Sequence, residues 1–87
     1  MTTPDDLTAR IRNVLKQHGK LPVDIATVAD TADLYGAGLT SQASVGLMLG
    51  LEGEFDVEFP DSLLNRRTFE SVAAIRAVIA QLTGAAS

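Results

Sequence analysis

Apolar positions recur at helical spacing in three stretches of the chain, each bounded by residues that start or stop helices. Leu7, Ile11, Val14 and Leu15 repeat at intervals of three and four behind Asp5 and Asp6, and Gly19 stands where such a helix ends. This predicts a first helix over about 4–18. From Lys20 to Thr40 the signals are mixed: Pro22, the apolar pair Ile25 and Val28, then Tyr35-Gly36-Ala37-Gly38. A structureless loop of about twenty residues is unusual in a small domain, so a short helical turn is expected near 23–29, with true loop after it. Ser41 to Phe55 reads as a second helix with Leu47, Met48, Leu51 and Phe55 on one face, stopping near Asp56-Val57-Glu58-Phe59-Pro60. Asp61 to Asn65 predicts one short turn. Thr68 is then expected to cap a final helix in which Phe69, Val72, Ile75 and Ile79 repeat at helical spacing. A flexible tail is expected from about 83 to 87. With no strand alternation, internal repeat or low-complexity segment, the pattern predicts an all-α four-helix bundle, three helices long and one short. It forms a single domain over 1–87, with a long loop between helices one and two.

The second helix carries more than a core face. At about 100° per residue, Ser41, Val45 and Leu49 fall on an arc beside the apolar one, which places Val45 and Leu49 at or beyond the edge of the core, in line with a serine at the helix start. Such a ridge suits docking of a partner, and a merely wide core face is the competing reading. Ala43, Gly46, Gly50 and Gly53 trace a third arc of small residues, although each helix-interior glycine costs about 1 kcal/mol against alanine. Close approach of another helix of the same bundle is the favoured compensation, ahead of a partner's backbone docking there.

Composition narrows the partners. The 87 residues suffice for one modest core, and with three Phe, one Tyr and no Trp that core must be mainly aliphatic. A net charge of -4 argues against nucleic acid or an anionic membrane and favours basic-faced protein partners. The chain has no cysteine, hence no disulfide, thiolate nucleophile or sulfur-ligated metal, and any reactive sulfur must come from outside. No basic stretch followed by an apolar one opens the chain and no apolar run is long enough to span a bilayer, so a soluble cytoplasmic monomer is expected.

Ser41 is the position of chemical interest. A serine beginning a helix most often serves as the N-cap. The same place also favours a phosphodiester, because free backbone N–H groups and the positive end of the helix dipole stabilise an anion on that hydroxyl. Gly36 and Gly38 would leave the hydroxyl open to a modifying enzyme. Hydrolytic catalysis is not expected: the only histidine, His18, ends the first helix next to Gly19, where it favours the helix dipole, and neither a metal cluster nor a phosphate loop is visible.

The stretch Asp33-Leu34-Tyr35-Gly36-Ala37-Gly38-Leu39-Thr40-Ser41, then Leu51-Glu52-Gly53-Glu54-Phe55-Asp56-Val57-Glu58-Phe59-Pro60-Asp61 ten residues on, resembles the acyl and peptidyl carrier proteins. The similarity extends to Thr68-Phe69-Glu70-Ser71-Val72-Ala73-Ala74-Ile75 and so covers essentially the whole chain. It implies a four-helix carrier fold, with 4′-phosphopantetheine attached covalently to Ser41. Thr40 and Gln42 stand where members commonly have Asp and Leu, a change that bears on handling by general transferases. Gly46 replaces the usual acidic residue, so Gln42 to Gly50 carries no charge. The acids collect instead at Glu52, Glu54, Asp56, Glu58 and Asp61, where they could steer a basic partner or form a solvated face.

Ala37-Gly38-Leu39-Thr40-Ser41, with Leu47-Met48-Leu49 and the Phe55-to-Pro60 segment, is similar to the stand-alone aminoacyl carrier proteins, charged by ligases that resemble seryl-tRNA synthetases. This likeness implies a phosphopantetheinyl transferase, an ATP-using amino acid:carrier protein ligase loading glycine, alanine or a similar small amino acid as a thioester, and a downstream acceptor enzyme. Any magnesium would sit on the transferase, and the domain itself would be no enzyme. Thr40, Gln42, Val45 and Leu49 are the expected partner contacts. Two rivals stay open at this point: an acyl carrier of a specialised lipid or polyketide pathway, and an unmodified helical module in which Ser41 only caps. A deep apolar cavity between the helices would point to long acyl cargo, and a closed core to small polar cargo.

Overall fold

The computed structural model describes residues 4–84, and these contain three α-helices, three 3-10 turns and no strand. Helix α1 runs Pro4–His18, α2 runs Ser41–Phe55 and α3 runs Val72–Thr83, with 3-10 turns at Ile25–Thr27, Asp61–Leu63 and Arg66–Phe69. The first two helices and the turn between them lie where the apolar periodicity puts them. Two 3-10 turns stand in place of one short fourth helix. Of the expected tail, Thr83 closes α3 and Gly84 is its left-handed C-cap, while 85–87 lie outside the described residues. No helix among the described residues is long and apolar enough to cross a membrane.

The aliphatic composition is what fills the core. Ile11 and Leu15 of α1, Leu47 and Leu51 of α2, and Val72, Ile75 and Ile79 of α3 are fully buried, so each helix contributes one apolar stripe to a shared centre. Met48 and Phe55 pack against that centre half-exposed. Phe59 and Phe69 meet with ring centroids 5.6 Å apart and close the end of the core beneath the two 3-10 turns.

The start of α3 corrects the sequence reading. Thr68 caps no helix: it is buried inside the Arg66–Phe69 turn, and its own amide donates to the Asn65 carboxamide at 3.1 Å. Ser71 is the N-cap of α3, its hydroxyl accepting from the Ala74 amide at 3.0 Å. Burial of Phe69 pulls the chain into a tight turn, so the helical spacing of Phe69 with Val72 spans two elements.

The long loop is fixed to the body by backbone groups that would otherwise lack partners. Leu34, fully buried, donates its amide to the Glu70 carbonyl at 2.7 Å, and the Ala73 amide in the first turn of α3 donates to the Asp30 carbonyl at 2.8 Å. Arg12 reaches across from α1 to the Ile25 carbonyl and to Asp30. Gly38 has φ +121, and a β-carbon there would meet Pro22 Cδ at 2.5 Å, so only glycine fits the last bend before α2.

The small-residue stripe of α2 is partly explained by the same packing. A β-carbon on Gly50 would meet the His18 ring at 2.6 Å, and one on Gly46 would lie 3.9 Å from the His18 carbonyl oxygen, so the end of α1 rests on these glycines. Gly53 faces nothing within 4 Å. Gly53→Ala should therefore raise stability by about 0.5–1 kcal/mol through helix propensity alone. A urea melt reads this directly, and a loss of stability would mean that the stripe needs glycine for more than space.

Candidate functional site

The site is assembled at the start of α2, where two adjacent hydroxyls take different duties. Thr40, with extended backbone at φ -95 and ψ 162, is the N-cap, and its Oγ1 accepts from the Ala43 amide at 3.0 Å. Ser41 is the first helical residue and is exposed, and its hydroxyl makes no hydrogen bond with any of the described residues. The Ser41 carbonyl accepts from the Ser44 hydroxyl at 2.6 Å, which leaves the serine's own side chain free. The cap reading of Ser41 is thus corrected by one residue.

Behind Ser41 the ridge stands out as expected. Val45 is 55% exposed and Leu49 58%, values high for side chains of their size and unlike the buried Leu47 and Leu51 on the core-facing arc. A cleft of about 310 Å³ runs along one flank of the ridge, with Ser41, Ser44, Val45 and Met48 on one wall and Tyr35, Leu64, Arg66 and Phe69 on the other. The Arg66 guanidinium lies 4.1 Å over the Tyr35 ring and so joins the loop before Ser41 to the turn before α3. On the other flank Gln42 and Thr40 share a second groove with Gln17, His18 and Lys20. His18 and Ser41 therefore belong to opposite sides of α2. Among the described residues no three His, Cys, Asp or Glu side chains could together hold a metal ion.

The acidic stretch past the helix is less available than its sequence suggests. Glu54 is paired with Arg10 at 2.9 Å, and Arg10 also bonds the Glu54 carbonyl and lies over the Phe55 ring. Glu52 accepts from the Phe59 amide at 2.9 Å, and Asp56 serves as the left-handed C-cap of α2. Glu58 and Asp61 remain exposed. Three of the five acids are therefore engaged around the helix end.

Tyr35, Leu64 and Arg66 were not singled out from sequence, because they meet Ser41 only through the fold. Leu64 within a polar turn and Arg66-Arg67, the one pair of adjacent basic residues, were the available signals.

Comparison with known proteins matches this arrangement to a family. Residues 5–79 fit the family of the phosphopantetheine attachment site. The chain is also 58% identical over 69 residues to an aminoacyl carrier protein of Agrobacterium fabrum, covering 79% of this chain and 83% of that one. The chain belongs to the aminoacyl carrier proteins. A second such relative, aminoacyl carrier protein 1 of Bradyrhizobium diazoefficiens, is 38% identical over 73 residues, or 83% of this chain and 77% of that one. Among solved structures, the carrier fold matches at a TM-score of 0.85 and 53% identity a chain in a crystal structure of an engineered Bradyrhizobium japonicum glycine:carrier protein ligase complexed with a carrier protein from Agrobacterium tumefaciens and ATP. The match covers 87% of this carrier and 99% of that chain. The cofactor of the family is 4′-phosphopantetheine. This carrier's site fits it: an exposed hydroxyl free of internal bonds, two helix-first amides without intrahelical acceptors, and an open cleft alongside.

Proposed function

We propose that this aminoacyl carrier bears 4′-phosphopantetheine on Ser41 and holds a small amino acid, glycine or alanine, as a thioester on the arm's thiol. The free hydroxyl of Ser41 at the first turn of α2 is the observation that carries this reading. A phosphopantetheinyl transferase attaches the arm, an amino acid:carrier protein ligase using ATP in the cytoplasm loads it, and a downstream enzyme accepts the group. The arm supplies the thiol that a chain without cysteine lacks.

The protein's own residues do the rest. Thr40 holds the helix start, so modification of Ser41 leaves the cap bond intact. Ser41 Oγ provides the oxygen of the phosphodiester: on the transferase it gives up its proton, bonds to the pantetheine-bearing phosphorus of coenzyme A and displaces adenosine 3′,5′-bisphosphate, and the first-turn amides face the remaining negative charge. Among the described residues the cleft beside Ser41 is lined by no histidine or carboxylate, and His18 packs on the far flank, which supports a carrier and not a catalyst. Small cargo is supported by the core, which is closed by fully buried aliphatic side chains, and by the cleft, which opens to the surface. The A. tumefaciens carrier found with a glycine:carrier protein ligase supports a partner of the same kind here.

Intact-protein mass spectrometry tests the reading. A gain of one phosphopantetheinyl group mapped to Ser41, then of one glycine or alanine with ATP and the ligase, is the expected result, and no gain with several transferases would overturn it. Thr40, Gln42, Val45 and Leu49 form the proposed contact surface for these enzymes. Val45→Asp and Leu49→Asp should each slow ligase loading about tenfold, the loss of one exposed apolar anchor of about 1.4 kcal/mol. Both side chains are exposed, so far-UV circular dichroism should not change. Unaltered loading kinetics in both would remove the ridge from the interface.

A further inference from the structure

We propose that Arg66 is a positioning residue for the prosthetic arm, its guanidinium pairing with the phosphodiester joined to Ser41. This rests on Ser41 as the attachment point. Among the described residues Arg66 is the only charged one lining the cleft beside Ser41, in a chain whose net charge is -4. Its ring stacking has a counterpart that shows what is different about it. Arg10 also lies over an aromatic ring, that of Phe55 at 4.5 Å, but its charge is met by Glu54. Among the described residues Arg66 has no acidic partner; the ion pairs there are Arg10 with Glu54 and Arg12 with Asp30.

The guanidinium is also held in place before any anion arrives. Asn65 fixes the turn that Arg66 begins, its Oδ1 accepting from the Thr68 amide at 3.1 Å and its Nδ2 donating to the Ser62 carbonyl at 3.0 Å. These bonds engage both ends of the Asn65 carboxamide, and Arg66 supplies the cleft's positive charge. Stacking on Tyr35 reduces the side-chain entropy that a free arginine would lose. A phosphodiester keeps its charge at every working pH and offers two oxygens to a planar, doubly donating cation. With its base drawn toward Arg66, the arm would leave Ser41 along the wall of Leu64 and Phe69, across the cleft from Val45 and Met48. Leu49, outside the cleft, and the exposed side of Val45 then stay open to a partner.

The test compares apo and holo forms of the wild type, Arg66→Gln, Arg66→Lys, Tyr35→Leu and the control Arg67→Gln, which alters the neighbouring charge outside the cleft. Mass spectrometry first establishes that each holo form carries the arm on Ser41. Two readouts follow: the melting temperature of holo minus that of apo, and the 31P chemical shift of the phosphodiester. In the wild type the holo form should melt higher at low salt, with the increment shrinking near 1 M salt, where the Debye length falls to about 3 Å. Arg66→Gln should abolish the increment and move the 31P signal, Arg66→Lys and Tyr35→Leu should keep part of it, and Arg67→Gln should keep it whole. Equal increments and 31P shifts in the wild type and Arg66→Gln, or an equal loss in Arg67→Gln, would overturn the role of Arg66 while leaving Ser41 as the attachment point. Should Arg66→Gln not accept the arm, Tyr35→Leu carries the comparison. Absence of the arm from Ser41 in the wild type would overturn both.

Discussion

Ser41→Ala is expected to abolish phosphopantetheinylation, and with it all loading, while changing stability by no more than about 0.5 kcal/mol. Thr40→Ala is expected to do the reverse, losing about 1 kcal/mol of stability while still accepting the arm, though more slowly because Thr40 belongs to the proposed contact surface. The pair separates because the two hydroxyls have different partners. Thr40 Oγ1 accepts from the Ala43 amide at 3.0 Å, and removing it leaves a first-turn N–H unsatisfied. The Ser41 hydroxyl holds nothing, and alanine is at least as good a first helical residue. Mass spectrometry and urea melts of both variants decide the matter. An arm still attached in Ser41→Ala would move the site to another serine, and a loss of more than 1 kcal/mol in that variant would give it back the cap.

Leu34→Ala is expected to cost about 2–5 kcal/mol, a large part of the 5–15 kcal/mol typical of a domain. Leu34 is fully buried although it lies in the loop. Its amide donates to Glu70 and its carbonyl accepts from the Ala37 and Leu39 amides at 3.1 and 2.9 Å, so one residue both fills the core and shapes the approach to Ser41. A urea melt gives the size of the loss. Hydrogen exchange should show the amides of 34–40 opening before those of α1. A cost below about 1 kcal/mol would mean that the loop is held by its hydrogen bonds and not by Leu34.

Which parts of this were legible beforehand follows from the range of the interactions involved. The bounds of α1 and α2 come from local periodicity and local stop signals, and the structure returns the same bounds. Thr40 and Ser41 are adjacent and equally able to cap, and a shift of one residue is finer than sequence patterns resolve. Thr68 and Ser71 pose the same problem three residues apart. The choice there was made by burial of Phe69 against Phe59, a contact between residues ten apart in the chain. The stripe of glycines announced that something comes close, but not that it is the His18 ring. Tyr35, Leu64 and Arg66 join the site from two separate turns, and nothing within a helical window links them to Ser41. The exposure of Val45 and Leu49 followed from their arc on α2.

The uncharged run from Gln42 to Gly50 has a consequence for traffic among carriers. Long-range attraction by a negatively charged chain governs how often a basic enzyme arrives, whereas residence is governed by what touches after arrival. The proposed contact on the ridge of Val45 and Leu49 would offer no charged side chain between Gln42 and Gly50 to an enzyme built around an ion pair. Enzymes that grip other carriers through charged groups would meet this one and let it go. If the ridge is the contact, then where several carriers share a compartment the missing charge would work as insulation, keeping this chain's cargo out of its neighbours' pathways.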